Sequence, residues 1–194
     1  MLNSRRYISA SVTTVLTTVQ QGRSAVAIPM IARVSLADYR GNAILDTYVR
    51  PSHLVSDYRT AETGIQYVHL ANAPPFEEVQ RAILKVTEDK ILVGHSLWIF
   101  LSVLGLSHSA LETRDLALYR PLRKKLKSKR MISLSLLVRL FMGRSVGLYY
   151  ENSLENARAA MDLFRTVEES FEGVIREGAW PCDLPPRSYL DYYL

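Results

Sequence analysis

Apolar positions along this chain switch between strand-like and helical spacing. From Ser24 to Leu36 they run almost without interruption, broken by Pro29, and a second strand-like stretch covers Ala43–Val49. Arg40-Gly41-Asn42 lies between them as a turn signal, so the pair reads as a hairpin. Downstream of Pro74 and Pro75, Phe76, Val79, Ile83 and Val86 fall at helical spacing and predict a helix over Phe76–Thr87. Lys90–His95 has the pattern of a short buried strand, Ser96–Leu106 that of a helix, and Thr113–Leu118 that of another strand. Two further helices are expected at Ser133–Phe141 and Ser153–Phe171, the second capped by Asn152 or Ser153. A hairpin followed by alternating strands and helices implies an α/β fold with a mixed central sheet flanked by helices.

The amino-terminal stretch gives conflicting signals. Val12, Val15, Leu16 and Val19 would share one face of a helix, yet the interleaved Thr13, Thr14, Thr17 and Thr18 are β-branched and favour a strand. Met1 to Ala37 contains no Asp or Glu but carries Arg5, Arg6, Arg23 and Arg33, a composition that resembles a mitochondrial targeting segment. The reading taken is an amphipathic extension over residues 1–23, packed on the body of the protein. At the other end Pro181, Pro185 and Pro186 stand among Tyr189, Tyr192 and Tyr193, and residues 173–194 read as an irregular Pro/Tyr-rich tail.

With 194 residues, 48% hydrophobic and 22% charged, the chain has room for one well-buried domain, which excludes disorder and fibrous repeats. No apolar run is long enough to cross a bilayer as a helix, and no membrane is expected. The single cysteine, Cys182, excludes an internal disulfide and a Cys-based zinc site. The net charge of +5 is local. Arg120, Arg123, Lys124, Lys125, Lys127, Lys129 and Arg130 form an acid-free run, and taking those 7 from the 24 basic residues leaves 17 against 19 acids. Such a run suits phosphate contact, nuclear import or a solvated face.

Several strings in order carry a resemblance. Tyr48-Val49-Arg50-Pro51, Asp57-Tyr58-Arg59-Thr60 and Gly64-Ile65, then Lys90-Ile91-Leu92-Val93-Gly94-His95-Ser96-Leu97, Arg114-Asp115, Pro121-Leu122-Arg123, Ser133-Leu134 and Ser153–Met161 resemble the DEDDh 3′–5′ RNA exonucleases of eukaryotes. The likeness runs from about Ala25 to about Arg165. It implies a ribonuclease H-like fold over residues 24–172 and, in the family, four carboxylates holding two magnesium ions with a histidine as general base. Carried onto this chain, the two acids of the first motif fall at Ala27 and Pro29, the acid of the second at Phe100, the general base at Glu151 and the last acid at Asn156. All five positions depart from the family pattern, so no metal and no cofactor is expected, and Asp115 and His95 are assigned structural roles.

The function this implies is a pseudo-exonuclease, a noncatalytic scaffold in an RNA-handling or chromatin complex. Trp98 and Ile99 are the partner-docking candidates. The alternative is a noncatalytic RNA binder using Arg59, Arg123, Lys124, Lys125, Lys127, Lys129 and Arg130, and a third reading is an active exonuclease with a rearranged site. A protein partner or self-association is expected, RNA is the other candidate partner, and the location expected is the nucleus, with mitochondrion or cytoplasm as alternatives.

Overall fold

The computed structural model describes residues 6–22 and 24–193. The Thr-rich amino-terminal segment is β1 (Tyr7–Gln21), and it pairs antiparallel with β2 (Ser24–Asp38) through a turn at Gly22. β3 (Ala43–Tyr48) pairs antiparallel with β2, completing a meander. Three helices follow: α1 (Thr60–Thr63), α2 (Tyr67–Ala71) and α3 (Phe76–Thr87). The chain then returns as β4 (Ile91–Gly94), parallel to β1, crosses over through α4 (Leu97–Leu104), and adds β5 (Thr113–Asp115) parallel to β4. The remaining helices are α5 (Arg120–Lys125), α6 (Leu134–Met142) and the long α7 (Ser153–Arg176). The sheet order is β3-β2-β1-β4-β5.

Residues 7–21 are therefore part of the sheet and not of an extension. They form the third of five strands in the sheet, and residues 1–5 and 23 lie outside the described residues. The β-branched threonines win over helical spacing because both faces of the strand are covered. Tyr7, with Ile91 and Val93 of β4, faces Met161, Phe164 and Phe171 of α7. Ile8, Ala10 and Val12, with Leu92, face Val79 and Ile83 of α3 and Leu97, Phe100 and Leu101 of α4. The strand-like and helical readings of Ala43–Val49, Phe76–Thr87 and Lys90–His95 appear as β3, α3 and β4, while α7 continues five residues past the expected Phe171.

The final segment is irregular apart from a 3-10 turn at Arg187–Tyr192. It is tied to the body where Asp183 N–H donates to the Leu118 carbonyl at 2.9 Å and His108 N–H to that of Tyr192 at 3.0 Å. Among the described residues no helix is long and apolar enough to cross a membrane.

Candidate functional site

β1 is hydrogen-bonded along its second edge in two separate places. The ladder with β4 covers Tyr7, Ile8 and Ser9, and farther along Leu16 pairs with Asp57. Between them the edge is open, and a cleft of about 290 Å³ lies there, lined by Ala10, Ser11, Val12 and Thr14 of β1. Its walls are His95, Ser96, Ile99 and Phe100 at the start of α4, Leu134 at the start of α6, Arg59, Glu151 and Asn156.

Each wall has a local cause. Gly94 lets β4 turn tightly into α4, because a Cβ there would stand 2.4 Å from Leu97 Cδ2 and 3.1 Å from the Ala10 carbonyl oxygen. Ser96 sits at φ 59° and offers the helix no side-chain cap. The cap comes from β5 instead: Asp115 accepts from Ser96 N–H at 2.9 Å and Leu97 N–H at 2.7 Å, and also from Ala117 N–H at 3.0 Å. Burial raises the Asp115 carboxyl to about 6, against the pull of those N–H groups. His95 makes a 2.7 Å hydrogen bond through Nε2 with the Ile132 carbonyl, and burial lowers its pKa against the opposing effect of that bond. On the far wall Asn152 caps α7, its side chain accepting from Leu154 and Glu155 N–H at 3.0 and 3.1 Å.

Arg59 joins the two walls. Its guanidinium donates to Thr14 Oγ1 at 3.1 Å and to Glu62 through Nε at 2.9 Å, and lies 3.7 Å from Glu151. Burial raises the Glu151 pKa; Arg59 pulls it down and Glu62 pushes it up.

Phe100, Glu151 and Asn156 thus come together, as the motif register requires. Ala27 and Pro29 do not. They stand on the exposed outer half of β2, opposite Thr18 and Leu16, because the first strand of the sheet is β1 rather than Ser24–Leu36. The cleft positions that sequence reasoning missed are on β1; Ala10 and Val12, two apart on one face of that strand, occupy the floor. The signal for them was the threonine-rich strand character of the segment. Trp98 does not serve as a docking residue: it is 6% exposed and packed in the core beside α7, whereas Ile99 is 40% exposed at the cleft.

The basic run is divided. Arg120 and Arg123 pair with Asp183, and Lys125 Nζ lies 5.0 Å from the centre of the Phe141 ring. Lys124, Lys125, Lys127, Lys129 and Arg130 are exposed, and the run ends within four residues of Leu134 in the cleft wall.

A pair of magnesium ions needs several anionic oxygens. The cleft lining contains one carboxylate, Glu151, and among the described residues no three His, Cys, Asp or Glu side chains are placed to hold a metal. These side chains do not fit a metal pair.

Comparison with known proteins gives the site its context. The profile of a family described as Exonuclease matches residues 13–162. RNA exonuclease 4 of Cryptococcus neoformans var. neoformans is 39% identical over 142 residues, 73% of this chain and 35% of that protein. Human RNA exonuclease 4 is 37% identical over 148 residues, 76% of this chain and 35% of its own. Human apoptosis-enhancing nuclease is 34% identical over 168 residues, 83% and 51% of the two chains. The chain therefore spans about a third to a half of these curated relatives. Among solved structures, the catalytic unit of Neurospora crassa Pan2 superposes with a TM-score of 0.68 at 20% identity, covering 92% of this chain and 29% of that one. The Saccharomyces cerevisiae Pan2 exonuclease module in complex with AAGGAA RNA gives 0.70 at 20%, covering 91% and 33%. The fold is ribonuclease H-like, as expected. The expectation of a pseudoenzyme acting as a noncatalytic scaffold or RNA binder is overturned by the relatives, which are named as exonucleases and match across most of the chain.

Proposed function

The chain belongs to the Exonuclease family, and from that membership we propose that it acts on RNA, taking the 3′ end of a single strand into the cleft beside β1. The observation that carries this reading is convergence. Phe100 of α4 meets Glu151 and Asn156, some fifty residues later at the start of α7, at the open edge of the central strand between its pairings with β4 and Asp57. Relatives at 34–39% identity bear the names RNA exonuclease 4 and apoptosis-enhancing nuclease, which supports RNA as the substrate class and end-directed cleavage as the reaction. The exposed lysines that precede Leu134 in sequence offer positive charge from which a phosphate backbone would release counterions on binding.

The test uses single-stranded RNA labelled at its 5′ end, incubated with and without added magnesium or manganese. Following the relatives, the expected result is stepwise loss from the 3′ end, slowed when Arg59 or Asn156 is replaced by Ala. RNA that is neither bound nor shortened overturns the reading.

A further inference from the structure

Next to the cleft, and sharing Glu151 with it, lies a second cavity of about 530 Å³. It is lined by Arg33, Tyr48, Gly64, His69, Leu148, Tyr149 and Tyr150, among others. Its rings lie against one another, and Tyr48 also packs on the small core of Val15, Ala32, Ile65 and Leu70. Tyr48 and His69 stack at 5.3 Å with 10° between their planes, and Arg33 lies 5.5 Å from the Tyr48 ring centre. Tyr150 covers Gly64, where a Cβ would stand 3.0 Å from the ring. Tyr149 and Leu148 are 89% and 75% exposed.

That exposure occurs on a held backbone. Gly147 N–H donates to Glu155 Oε2 at 3.0 Å, and Glu151 N–H donates to the Glu62 carbonyl at 2.7 Å. The loop between those two anchors presents a large flat ring to solvent.

We propose that Tyr149, in the same cavity as the Tyr48–His69 pair, is a stacking shelf for an unpaired base of the RNA strand whose end occupies the cleft. The proposal rests on the RNA reading above and adds a binding site to it. Continuity through Glu151 makes the two sites consecutive along one strand. The charge of the second cavity selects which part of the strand enters. Arg33, the one Lys or Arg that lines it, is already paired with Asp46, and Glu151 lies 3.7 Å from Arg59, so the lining offers a phosphate no unpaired Lys or Arg and suits an uncharged base. An aromatic face takes any base, so the shelf contributes affinity without sequence preference.

The experiment is an equilibrium titration of fluorescent single-stranded RNA into the full chain with EDTA present, which keeps the strand at constant length. Tyr149→Ala should bind about tenfold more weakly, with the same dependence on salt, because stacking removes no counterions. Tyr149→Trp should bind at least as tightly as the unaltered protein, and a strand with an abasic site at the matching position should lose the difference between Tyr and Ala. Equal affinity of Tyr149→Ala and the unaltered chain overturns the shelf while leaving the RNA reading standing. Absence of binding by the unaltered chain at low salt overturns both. The exposed ring makes unfolding of the variant an unsuitable explanation, and a thermal melt verifies that.

Discussion

At Asp115 one buried carboxyl does the work of a helix cap and a loop clamp together. It receives N–H groups from Ser96 and Leu97, at the entrance to α4, and from Ala117 beyond β5. Replacing it with Ala leaves those donors without partners inside the protein and should cost at least about 3 kcal/mol in a urea titration. Its titration has a definite sign. The folded protein holds the Asp115 proton up to about pH 6, while the ordinary carboxyl releases it near 3.8. The contribution to stability is complete below the ordinary value and is lost as pH rises through about 6. Asp115→Asn, uncharged throughout, should flatten stability across that window; an unchanged pH slope would show that the group does not titrate there. Phe100 poses the same kind of question at the cleft. It is 2% exposed and touches the core formed with α3, so Phe100→Ala should destabilise by about 3–5 kcal/mol, read from the same unfolding curves.

Two joints between elements hold helices to the sheet. The first is the turn from β4 into α4. Gly94→Ala would drive a methyl group into Leu97 and against the Ala10 carbonyl, and should cost about 1–3 kcal/mol as the helix moves off β1. Gly64→Ala tests a different device, since the left-handed backbone at φ 68° and the Tyr150 ring both oppose a side chain there. The second joint ties β5 to α7. Arg114 and Glu172 form a bidentate pair with bonds of 2.5 and 3.0 Å, and their side chains are 4% and 7% exposed. Glu172→Ala leaves a buried guanidinium uncompensated and should lose about 3–5 kcal/mol, whereas replacing both residues with apolar ones of similar volume should lose much less. Equal losses from the single and double changes would mean the pair does not act as a unit.

Over the whole molecule, charge is unevenly placed. Without the Arg120–Arg130 run the chain carries slightly more acid than base, and two of the seven residues in that run are taken up by Asp183. The other five are exposed and precede Leu134 of the cleft wall in sequence. Changing Lys124, Lys127 and Lys129 to Glu should therefore weaken RNA binding for every sequence and reduce the salt slope of the binding constant, in contrast to Tyr149→Ala. Identical slopes for the lysine variant and the unaltered protein would place the phosphates elsewhere.

Much of this architecture was legible in the order of residues. β-hairpin, α3, β4 and α7 follow from local periodicity, and the ordered strings around His95 and Asn156 identified the fold and brought Phe100, Glu151 and Asn156 to one place. Those signals are local, or are carried by short segments whose register the flanking residues fix. Tertiary structure decided the rest. Val12, Val15, Leu16 and Val19 fit a helix as well as a strand by spacing alone, and only burial between α7 on one face and α3 with α4 on the other makes the segment the central strand. That choice moves the cleft floor from Ala27 and Pro29 to Ala10 and Val12. Trp98 and Ile99, adjacent in sequence, end on opposite sides of α4, one in the core and one at the cleft. The sequence by itself determined which elements form and which family they build; the covering of two faces of one strand determined which side chains meet.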